Sequence, residues 1–83
     1  MTKLELLALK QKYSATLYKY KGEMPYAWKV AYIFVLPDNR AIRIPIKQAV
    51  SVHYIQKFIE WKLGTGNTQL STGKPSPNNW EEV

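Results

Sequence analysis

Cations and flat rings alternate along the first part of the chain: Lys12-Tyr13, Tyr18-Lys19-Tyr20-Lys21 and Trp28-Lys29. This pattern suits an anionic partner that also offers rings to stack on, which describes nucleic acid better than an isolated phosphate. The charge distribution points the same way. Residues 1–63 hold 11 Lys/Arg against 4 Asp/Glu, a net of +7, while residues 64–83 hold 1 against 2, a net of −1. The positive excess therefore belongs to the segment with enough apolar residues to fold.

Catalytic chemistry is poorly supplied. The chain has one His, one Asp and no Cys, and Glu5, Glu23 and Glu60 fall in three separate segments. Triads and paired-carboxylate sites need several such groups converging on one point. His53 and Glu60 share a helical face, which reads as a solvated surface. One imidazole and scattered carboxylates assemble no metal site. Gly64-Thr65-Gly66 lacks the lysine and the following helix of a phosphate loop. The expectation is a non-enzyme, with no catalytic residue, no metal and no cofactor.

Three surfaces are candidates for nucleic acid. One is a basic sheet face of Lys29, Arg43 and Lys47, joined by Arg40 at a turn. The second is Tyr18, Lys19, Tyr20 and Lys21 with the loop running to Trp28, where cations grip phosphates and rings stack on unpaired bases. The third is the start of the second helix beside Lys47, where backbone donors favour a phosphate.

These residues must be positioned by few elements, because 83 residues allow one domain with a small core. Thr2 to about Lys12 reads as a helix capped by Thr2, with Leu6, Leu9 and Tyr13 on one face. Residues 14–21 fit a strand, since Thr16, Tyr18 and Tyr20 alternate with Leu17, Lys19 and Lys21. They also fit an extension of the helix stopped by Gly22.

Residues 28–46 read as a hairpin turning at Pro37-Asp38-Asn39, with Leu36 opposite Arg40. That register sets Phe34 opposite Ile42, Tyr32 opposite Ile44 and Val30 opposite Ile46 on one apolar face. The other face receives Lys29, Arg43 and Lys47 among Ala31, Ile33, Val35 and Ala41. Pro45, lacking a donor, marks an edge or an end.

Residues 48–63 read as a second helix, started by Ser51 or just before Gln48 and closed by Gly64. Its apolar arc is wide: Val52, Ile55, Ile59 and Leu63 form one stripe, and Val50, Tyr54, Phe58 and Trp61 a second. Either the first helix covers the aromatic set or another molecule does. Tyr54, Phe58 and Trp61 are thus candidates for a protein-partner or homodimer interface. After Gly64 the composition turns polar, and residues 65–83 read as a flexible tail; its closing Trp80-Glu81-Glu82-Val83, an aromatic with two acids, is alternatively a segment that docks on the basic domain or on a partner.

With residues 14–21 as a strand, a helix, three antiparallel strands and a helix follow within about 63 residues. That order resembles the double-stranded-RNA-binding domain, and Tyr18 to Leu63 is loosely similar to the amino-terminal DNA-binding domains of tyrosine recombinases. Both resemblances imply nucleic-acid binding and are topological. Only Lys47 and Ala49 match the start of the RNA-binding family's second helix, and the loop Gly22-Glu23-Met24-Pro25-Tyr26 lacks its histidine.

The sequence is therefore read as an α+β domain over residues 1–64, a small antiparallel sheet packed with an N-terminal and a C-terminal helix, and a tail over 65–83. The expected function is binding of DNA or RNA through Lys19, Lys21, Lys29, Arg40, Arg43 and Lys47, with Tyr18 and Tyr20 stacking. The competing expectation is an inhibitor or adaptor module, of the kind phages, viruses and mobile elements carry. The longest uncharged apolar run, Val30 to Leu36, is far short of a membrane span. A cytoplasmic protein, or one of a host cytoplasm, is expected, with no membrane partner.

Overall fold

The computed structural model describes residues 2–22, 29–66, 68–70 and 75–83. Helix α1 spans Lys3–Lys12 and begins with a capping box: Thr2 accepts from the Glu5 N–H, and the Glu5 carboxylate accepts from the Thr2 N–H. The helix ends without a glycine. Ser14 takes the left-handed conformation, its N–H bonding to Gln11 and that of Ala15 to Lys10, the pairing of a Schellman cap. This stop sends residues Thr16–Tyr20 into strand β1, so the segment does not extend the helix.

Strands β2 (Val30–Val35) and β3 (Arg40–Pro45) form the hairpin with Asn39 in the left-handed region, and Leu36 and Arg40 close the turn. Phe34 faces Ile42 and Tyr32 faces Ile44, as the alternation demands. The register departs from expectation at the open end. Val30 pairs with Pro45 rather than Ile46, because an extra residue in β2 bulges the ladder between Val30 and Tyr32. Lys29 there adopts a positive φ and its carbonyl accepts from the Ile46 N–H. Ile46 is thereby half exposed instead of sharing the core face.

A single 3₁₀ turn, Ile46–Gln48, precedes helix α2 at Val52–Thr65. Ser51 caps its start and Gly66, at φ 69°, caps its end. Gly64 stays helical, so the helix ends later than expected, while its start at Ser51 is one of the two that the sequence offers.

The segment expected to be a tail supplies both outer strands. β4 (Gln69–Leu70) pairs with β3 and β5 (Trp80–Glu82) pairs with β1, giving a five-stranded antiparallel sheet in the order β4-β3-β2-β1-β5. Main-chain pairing needs no apolar side chain, so a polar composition conceals it. β5 is held beyond the ladder as well: Lys21 donates to the Asn79 carbonyl, Val83 to that of Leu17, and Lys10 Nζ to the Val83 oxygen at 2.7 Å.

Both helices lie on one face of the sheet. Leu6 and Leu9 of α1 and Ile55 and Ile59 of α2 meet Leu17, Phe34, Ile42 and Ile44 in one core. Each such side chain contributes about 1.5–3 kcal/mol by leaving water. No described helix covers the opposite face, where Thr16, Tyr18, Ile33, Val35 and Ala41 are only partly buried.

Candidate nucleic-acid interface

Register divides the expected contact residues between two faces and two ends of the sheet. Glu82, Tyr18, Ile33 and Arg43 stand in a row across β5, β1, β2 and β3 on the open face. Tyr18 and Arg43 thus share a surface, separated by Ile33. Lys19 does not join them. Strand alternation turns it to the helix side, between its cross-strand neighbours Tyr32 and Glu81. Arg40 is committed locally, its Nε 2.6 Å from the Asp38 carboxylate within the hairpin turn. Trp28 and the loop from Glu23 onward lie outside the described residues.

Three other cations gather where β1 and β2 stop pairing. The last β1–β2 pair is Lys19 with Tyr32, beyond which the strands separate. Tyr20, Val30 and Ile46 line the resulting cleft, of about 300 Å³. The chain neighbours of those residues are Lys21, Lys29 and Lys47, all exposed. Their convergence follows from the antiparallel path: the end of β1, the start of β2 and the end of β3 belong to one end of the sheet. Arg40, at the turn, belongs to the other.

Tyr20 is fixed rather than loose. Its ring packs edge-on against Trp80, with centroids 5.2 Å apart, and lies so close over Gly22 that a Cβ there would collide with it. The sequence offers Trp80 as a docking residue of the tail but does not connect it, or Gly22, with Tyr20. The available signal was Trp80 itself, the one large ring in a polar stretch. Tyr32 forms another wall of the cleft, and burial pushes its phenol above the ordinary tyrosine range.

The aromatic set on α2 is split. Tyr54 and Trp61 are 53% and 55% exposed, while Phe58 is half-buried against the core. Lys62 lies over both Phe58 and Trp61, at 5.5 and 5.2 Å from the ring centroids. Helix α1 therefore leaves the outer half of this set uncovered.

Among the described residues no group of three His, Cys, Asp or Glu comes together to hold a metal ion, and no helix is long and apolar enough to cross a membrane. The molecule is a small α+β domain with both helices on one face of an antiparallel sheet. Comparison with protein families, characterised proteins and solved structures finds no match to the chain.

Proposed function

We propose that this protein is a small, non-catalytic nucleic-acid-binding protein that grips the phosphate backbone with the lysine-rimmed end of its sheet. The observation that supports this reading is that exposed Lys21, Lys29 and Lys47 each adjoin, in the chain, a residue lining one cleft that Lys19 also lines. Three cations at one sheet end form a local positive field, which lysines spread evenly over a surface would not. Arg43 and Tyr18 on the open face extend the contact along a strand, the arginine to phosphate and the tyrosine to an unpaired base. Lys19 flanks the same cleft from the helix side. Arg40, already bonded to Asp38, has a minor part in this scheme.

The test is a fluorescence titration with short single- and double-stranded DNA and RNA between about 50 and 200 mM salt. Saturable binding that weakens with salt yet persists at the upper limit supports the proposal. Absence of binding at the lower limit rejects it.

A second reading rests on Tyr54 and Trp61, whose exposure leaves two ring types favoured at protein interfaces uncovered on α2. In that reading the chain is an inhibitor or adaptor, or pairs with a second copy through α2. Concentration-dependent sedimentation that Trp61→Ala abolishes supports the homodimer; a monomer at all concentrations leaves only an unlike partner.

A further inference from the structure

We infer that the cleft at the open end of the sheet is a pocket for one unstacked nucleobase, so that the protein selects unpaired over paired nucleic acid. The inference rests on the nucleic-acid reading above and names the form of ligand that site takes. Val30, Ala31, Ile46 and Ala49 make the cleft mainly apolar, and Tyr20 and Tyr32 add two rings. Its volume, about 300 Å³, stands at the lower limit of the roughly 300–1,000 Å³ typical of small-ligand sites. That suits a single flat ring system better than a larger ligand.

The surroundings supply what a nucleotide needs besides. Lys19 lines the cleft, and Lys21, Lys29 and Lys47 are chain neighbours of its walls, so a base stacked on Tyr20 brings its flanking phosphates toward cations. Tyr20 is pinned by Trp80 and Gly22 before any ligand arrives, so little ordering is lost when a base stacks on it. A neighbouring cleft of about 240 Å³ between α1, β1 and β5 differs in kind. Glu81 and Glu82 line it beside Lys3 and Lys19, so its two cations are offset by two carboxylates and it lacks a positive excess for phosphate. A base held in a duplex cannot enter either cleft without being extruded, which costs unstacking.

The experiment compares three probes on the full chain at about 200 mM salt: a short oligothymidylate, an abasic strand of equal length and charge, and the corresponding duplex. The oligothymidylate should bind about tenfold more tightly than the other two, as stacking of one base implies. Ala31→Leu, which narrows the cleft without changing charge, should reduce it to the abasic level, with a thermal melt confirming that the variant is folded. Equal affinity for all three probes overturns the base pocket while the phosphate-binding proposal stands. An undiminished preference in folded Ala31→Leu overturns the location. Failure of every probe to bind at low salt overturns both proposals.

Discussion

Tyr20 and Trp80 face one another across the β1–β5 ladder, rings 5.2 Å apart and inclined at 65°, although the hairpin and second helix intervene between them in the chain. The pair ties the last strand to the wall of the candidate pocket. Trp80 is only 6% exposed, so it acts as part of the folded domain. Trp80→Ala should therefore lower stability by about 3–5 kcal/mol, the range for deleting a large buried ring. Urea denaturation followed by circular dichroism measures this, and an unchanged midpoint would show that β5 adds nothing to the fold.

Gly22 matters through the same ring. A methyl group there meets the Tyr20 ring, so Gly22→Ala should push Tyr20 away from Trp80 at a cost of about 1–3 kcal/mol. Disappearance of the nuclear Overhauser effects between the two rings is the expected sign. Their persistence at full stability would mean that the backbone of residue 22 yields instead.

On α2 the same truncation should have opposite consequences at neighbouring rings. Tyr54→Ala and Trp61→Ala remove exposed side chains and should change stability by no more than about 0.5 kcal/mol. Phe58→Ala opens a gap against the core and should cost clearly more. Thermal melts of the three variants decide the point; a large loss at Trp61 would place its ring in the core.

Alkaline pH should weaken the fold through its tyrosines. Burial raises the Tyr32 phenol, and burial followed by the Glu60 carboxylate raises that of Tyr13, both from an ordinary value of 10.0. A raised folded-state value means that the native protein holds the proton where the unfolded chain has released it. The stabilisation is complete below about pH 10 and is lost as pH climbs through the raised values. Melting temperature should fall above pH 10, and less so in Tyr32→Phe. An identical alkaline profile in that variant would assign the effect elsewhere.

What could be read from the sequence was whatever side-chain pattern alone dictates. The alternation of Tyr32, Phe34, Ile42 and Ile44 allowed one register, and Pro37-Asp38-Asn39 supplied the turn. The end of α1 was ambiguous because Ser14, not glycine, takes the left-handed position. The bulge after Val30 moved Ile46 out of the core, since a positive φ at Lys29 leaves no mark in composition. β4 and β5 went unread because edge pairing depends on main-chain groups that every residue carries. Lys29 and Lys47 were already grouped by the hairpin register, but the joining of Lys21 to them was not legible. Lys21, Lys29 and Lys47 belong to three strand ends, and only the antiparallel path brings those ends to one side of the sheet.

The decisive measurement is the salt dependence of single-strand binding for two triple variants. In one, Lys21→Ala, Lys29→Asn and Lys47→Ala remove the cluster, asparagine being chosen because residue 29 has a positive φ. In the other, Lys12, Lys57 and Lys62 on the helices become alanine, so both variants lose equal charge. Removal of the sheet-end cluster should lower the slope of log affinity against log salt by about two, approaching one counterion for each phosphate that a lysine no longer neutralises. The helix variant should keep the slope of the original protein. Equal reductions in both would contradict a localised site, leaving only a diffuse positive surface.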